Sequence, residues 1–173
     1  ECLVGDEYPD GIRLLDKYPN LIVCRTFSKA WGLAALRVGY SISSPAIADI
    51  LNRVRQPFNV DTVALAAATA VLEDEAYLQK SREVNEAGLQ QLAEGFDRMG
   101  LSYIPSAGNF IAVEVGEPAA GIYQALLAHG VIVRPVAGYG MPRHLRVSVG
   151  LPQENERFLD ALAEALASAG LGA

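Results

Sequence analysis

The chain has 173 residues, 51% of them apolar, which is enough to enclose a core in one or two compact units. A net charge of -6 and an isoelectric point near 4.9 oppose electrostatic capture by nucleic acid or by an anionic membrane surface, and no basic run reverses that balance locally. No stretch approaches the roughly 18 uninterrupted apolar residues of a membrane span, so composition favours a small-molecule function.

The acidic, polar start at residues 1–10 is unlike a signal peptide, and the absence of an initiator Met leads us to expect sequence upstream. Within it, Asp6-Glu7-Tyr8 reads as a loop. Residues 12–18 predict a helix, and the apolar run Leu21-Ile22-Val23-Cys24 suits a strand buried on both faces of a parallel sheet. Cys2 and Cys24 lack metal-ligand spacing, and in that run Cys24 reads as a buried reduced thiol, which favours the cytoplasm. Residues 37–43 alternate like a second strand, and Pro45 opens the next helix. Alternating strands and helices mark an α/β fold.

After Gln56-Pro57-Phe58-Asn59 the texture changes, and residues 63–72 are rich in Ala on every side, as suits a closely packed helix. We therefore expect a domain transition near Pro57, with one domain over residues 1–58 and a second, small α+β domain with its connecting helices over residues 59–173. From Asp74 onward Leu89, Leu92, Phe96 and Met99 recur at helical spacing, with Gly100 as a stop. Strands are expected at residues 110–115, 131–133 and 145–149, with a helix over residues 119–129 between the first two. A last helix from Pro152 carries Phe158, Leu159, Leu162 and Leu166 on one face.

The segment that carries chemistry is Thr26-Phe27-Ser28-Lys29-Ala30-Trp31-Gly32-Leu33-Ala34-Ala35-Leu36-Arg37-Val38-Gly39-Tyr40. A strand delivers two hydroxyls and a lysine to its C-terminal end, where open α/β sheets place ligands, and a turn of small residues leads to an arginine. Hydroxyls and a guanidinium around one point suit a phosphate. A partly desolvated lysine beside another cation can serve as an amine nucleophile toward a carbonyl.

This run resembles, at every position from Thr26 to Ala35, the lysine-attachment pattern of the class-II pyridoxal-phosphate aminotransferases of fold type I. Its extension Leu36-Arg37-Val38-Gly39-Tyr40 is similar to the histidinol-phosphate type. The likeness continues through Gly108-Asn109-Phe110, Gly130-Val131-Ile132-Val133-Arg134 and Leu145-Arg146-Val147-Ser148-Val149-Gly150, then Glu154-Asn155. Ala35 departs from the glycine usual before Leu-Arg.

The resemblance implies that the chain is the C-terminal half of such an enzyme: the end of a large, mainly parallel-sheet domain and a complete small domain. It implies pyridoxal 5'-phosphate as cofactor, with Lys29 attaching it and moving the substrate proton, and Thr26, Ser28 and Arg37 holding its phosphate. Arg146 would clamp a substrate carboxylate, Arg134 would meet the substrate's own phosphate, and Asn109 would line the site. The partners implied are an amino donor, histidinol phosphate, and the acceptor 2-oxoglutarate, with a homodimer at full length. The aspartate that keeps the pyridine nitrogen protonated is expected upstream, so these residues alone are expected to be inactive.

Blander readings stand beside these. Arg146 could place its charge at a sheet edge, Asn109 could cap a turn, and Gly138-Tyr139-Gly140 reads as a turn rather than a phosphate loop. His129 suits a helix end and His144 a polar loop, so neither is assigned a catalytic role. Rival functions are threonine-phosphate decarboxylation, aromatic transamination, and a non-catalytic module that keeps the scaffold.

Overall fold

The computed structural model describes residues 10–117 and 119–170; the loop expected at Asp6-Glu7-Tyr8 lies outside the described residues. Two compact units form, one running to Arg82 and the other beginning at Glu83, a boundary that falls inside a long helix.

The first unit contains strands β1 (Ile22–Thr26) and β2 (Gly39–Ser43), followed by helices α1 (Pro45–Val54), α2 (Thr62–Val71) and the start of α3 (Glu75–Arg98). Where a helix is expected over residues 12–18, only a 3-10 turn forms at Gly11–Leu14, capped by the Asp10 carboxylate accepting from the Ile12 amide. Pro19 sets the outer limit of any helix here, since it drives Tyr18, the residue before it, out of helical geometry.

The parallel pairing expected for β1 is corrected: β1 and β2 are antiparallel, with Ile22 opposite Ser43 and Thr26 opposite Gly39. The connecting residues 27–38 contain no crossover helix, and without one the chain can only turn back on itself. Burial on both faces fails too, because Ile22 is 42% exposed. Cys24, on the same face by the two-residue period of a strand, is a free exposed thiol rather than a buried one. The unit's own core gathers Phe27, Val38, Ala64 and Ala68, with Trp31, Leu33 and Leu36 packed against it.

The second unit is a four-stranded antiparallel sheet ordered β3 (Tyr103–Ile104), β4 (Phe110–Glu114), β6 (His144–Ser148) and β5 (Arg134–Pro135). Helices α4 (Ala119–Ala128) and α5 (Pro152–Ser168) and the C-terminal part of α3 share one core with it. Alternation along the strands turns Ile111, Val113, Leu145 and Val147 into that core. Leu92 and Phe96 from α3 and Leu162 from α5 are fully buried there, as the helical stripes in the sequence predict. A β-carbon at Gly95 would run into the Leu159 side chain, so the glycine permits the close approach of α3 and α5.

Residues 131–133 do not form the expected strand. Gly130 adopts φ 71, and the amides of Gly130 and Val131 donate to the carbonyls of Leu127 and Leu126, closing the end of α4. The Val131 amide is thereby committed to the helix, and only Arg134–Pro135 pairs with β6.

Asn155, buried at the start of α5, accepts from the Gly150 amide and donates to the Gln91 side chain and the Gly150 carbonyl. A buried amide with its partners met pins the β6–α5 connection. Among the described residues, no helix is long and apolar enough to cross a membrane.

Candidate functional site

In the first unit the chemistry sits where β1 ends. The Thr26 hydroxyl accepts from the Ser28 amide at 3.0 Å, which bends the chain out of the strand. The Phe27 amide donates to the Val38 carbonyl, so the two ends of the connection are tied together. Phe27 and Ala30 are buried, and the Phe27 ring packs 6.1 Å from Trp31 and 5.6 Å from Tyr40. Lys29 lies between these two anchors and is exposed. Burial of its neighbours therefore fixes the backbone while the amine stays accessible, and the partial desolvation expected of Lys29 is not found within the described residues.

The following turn needs Gly32, whose φ is 73 and where a β-carbon would run into the Tyr77 phenol. Arg37 is the stronger signal. It is a non-glycine residue in the left-handed region, φ 52 and ψ 38, a conformation that costs roughly 1–3 kcal/mol and persists where surrounding structure imposes it. Its Nη1 donates to the Ala34 carbonyl at 2.7 Å, leaving the other guanidinium donors available. Thr26, Ser28, Lys29 and Arg37 are thus gathered on one closed loop. Neither Lys29 nor Arg37 is ion-paired with a carboxylate among the described residues.

In the second unit β6 lies between β4 and β5, which overturns the edge reading of Arg146. Arg146 stands opposite Ala112 on one side and Arg134 on the other. All three project away from the face that carries Leu145 and Val147 into the core. The Arg146 guanidinium lies 4.7 Å from the centroid of the Phe110 ring, and its Nε is buried with no hydrogen-bond partner. An unmet buried donor on a permanent cation is costly unless an anion meets it. Arg134 is exposed at the short edge strand, and its Nη2 donates to the Tyr139 hydroxyl at 2.9 Å.

Asn109 precedes β4, where its carbonyl accepts from the Val149 amide at 2.9 Å. Gly138-Tyr139-Gly140 is a turn, as read, with a 3-10 segment at Ala137–Tyr139. His129 follows α4, with Nδ1 3.5 Å from the Glu164 carboxylate. His144 opens β6 opposite Glu114 instead of lying in a loop, because the ladder with β4 extends that far.

Sequence reasoning missed Phe110 and Tyr139 as partners of the two arginines. The alternation of β4 already sets Phe110 out of phase with Ile111 and Val113, but which arginine it meets depends on strand register.

The model of the family aminotransferase class I and II matches residues 3–162. Histidinol-phosphate aminotransferase 2 of Pseudomonas fluorescens Pf-5 is 66% identical over 98% of this chain and 46% of its own length. The protein of the same name from strain Pf0-1 is 64% identical over 96% of this chain and 45% of its own. Among solved structures, histidinol-phosphate aminotransferase from Sinorhizobium meliloti in complex with pyridoxal-5'-phosphate is 35% identical. It superposes with a TM-score of 0.80 over 87% of this chain and 42% of that one. The chain spans about half the length of the curated relatives it matches. The match covers both the lysine-bearing first unit and nearly all of the second, and the chain belongs to the class I and II aminotransferase family.

Proposed function

We propose that the protein is a pyridoxal-phosphate aminotransferase that moves an amino group between histidinol phosphate and 2-oxoglutarate in histidine biosynthesis. The observation that carries this reading is an accessible lysine between two buried anchors, on a loop that also presents two hydroxyls and a left-handed arginine. Those residues fit the cofactor: Ser28, Arg37 and Thr26 would hold its phosphate, and Lys29 would attach it. When bound, pyridoxal phosphate supplies an electron sink for the pair left behind as the substrate proton departs. Lys29 would take that proton from the substrate α-carbon and deliver it to the C4′ carbon of the cofactor, two atoms along, which a flexible primary amine can do as general base and then acid.

Arg146 binds a substrate carboxylate, Arg134 the donor's phosphate, and Asn109 lines the site. Residues 1–58 belong to the cofactor-binding domain, and 59–173 comprise connecting helices and the small domain. The full-length protein works as a cytoplasmic homodimer. The test is glutamate formation by the purified full-length protein from histidinol phosphate and 2-oxoglutarate; absence of turnover with that pair refutes the substrate assignment.

Two expectations follow from the same reading. Arg146→Lys lowers kcat/KM about 10–100-fold while leaving cofactor affinity intact, because a point charge cannot reproduce a planar fork whose charge-assisted bonds are worth about 1.5–3 kcal/mol. Equal losses in both would place Arg146 elsewhere. The 173 residues alone turn over at least about 100-fold more slowly than the full-length protein, a barrier difference of about 2.7 kcal/mol. Turnover within about tenfold in a parallel steady-state assay would show that the pyridinium partner is contained here.

A further inference from the structure

Arg134 and Arg146 stand directly opposite one another across β5 and β6, so both project from the same face of the sheet. Like charges in that position repel. Neither is paired with a carboxylate among the described residues, and the buried Arg146 Nε has no hydrogen-bond partner there. Two cations kept together without a counter-ion are arranged for an external anion, and something uncharged must hold them there in its absence.

For Arg146 that support is the Phe110 ring, 4.7 Å below the guanidinium. Arg134 has less around it, because it is exposed on a two-residue strand at the sheet edge. Its partner is Tyr139: the guanidinium Nη2 donates to the phenol oxygen at 2.9 Å, and the ring centroid is 5.7 Å away. Tyr139 is itself placed by the 3-10 turn Ala137–Tyr139, which Gly140 closes in the left-handed conformation and Val136, buried just before it, anchors. A phenol oxygen accepts one guanidinium hydrogen bond without cancelling the charge, whereas a carboxylate would neutralise the site. It also opposes the outward drift that repulsion from Arg146 would cause.

We propose that Tyr139 is a positioning residue that sets preference for a phosphorylated amino donor by holding Arg134 in reach of the donor's phosphate. This rests on the assignment of Arg134 to that phosphate. Tyr139→Phe removes the acceptor oxygen and keeps the ring, and with the side chain 64% exposed the change leaves the fold intact, as an unaltered Tm would verify.

In the full-length holoenzyme the variant is expected to raise KM for histidinol phosphate and the inhibition constant of inorganic phosphate about tenfold, the worth of one lost hydrogen bond, with kcat within about twofold. In an Arg134→Ala background Tyr139→Phe should add nothing, because its effect passes through Arg134. If Arg134→Ala leaves KM for histidinol phosphate unchanged, the phosphate assignment fails and this inference with it. If Arg134→Ala raises KM but Tyr139→Phe does not, or adds its full effect in the double variant, the positioning role alone is overturned.

Discussion

Lys29→Ala in the full-length protein is expected to cut transamination by about 10³-fold or more, since a positioned acid–base group is worth about 10²–10⁴-fold and this lysine is the only proton carrier proposed. Cofactor should remain associated without a covalent link, because the proposed phosphate contacts at Thr26, Ser28 and Arg37 do not involve the amine. Lys29 is exposed, so removing its side chain deletes no buried packing, while Phe27 and Ala30 keep the loop where it is. Structural collapse is therefore not a competing cause. Borohydride reduction of the wild-type holoenzyme followed by peptide mapping is the check. Label recovered on Lys17 or Lys80 would overturn the assignment of the site.

The largest effect on stability is expected at Phe96. Its side chain is fully buried in the second unit, 5.7 Å from the Tyr103 ring and edge-on to Phe158 at 6.1 Å. Phe96→Ala removes the transfer energy of the ring and leaves a cavity that a sheet backed by three helices cannot close, a loss of about 3–5 kcal/mol. Because Arg134 and Arg146 depend on the register of the same sheet, substrate affinity should fall together with stability. Hydrogen exchange of the β4 and β6 amides in the full-length protein measures the loss directly. A change below about 1 kcal/mol would mean that Phe96 is not part of the core that holds those strands.

Much of this was legible in the sequence where the determinants are local. The stripes Leu92–Phe96 and Phe158–Leu162–Leu166 follow from helical period alone, and each is buried. Pro45 and Pro152 open helices because a missing amide costs nothing in the first turn. Thr26 to Tyr40 resembles one family's lysine segment because short-range backbone geometry fixes residue type there. The tertiary structure decided the rest. Residues 131–133 are as β-prone as any strand, yet the Val131 amide goes to the end of α4, a competition that no local pattern reveals. The direction of β1 against β2 depended on how residues 27–38 close, and the exposure of Cys24 on what covers its face. Register decided that Arg146, on an interior strand, stands opposite Arg134 on the same face, because a slip of one residue in β6 would turn Arg146 to the other face and part the two. Composition and spacing name the residues that can bind an anion; only strand pairing, which joins positions far apart in the chain, brings two of them together.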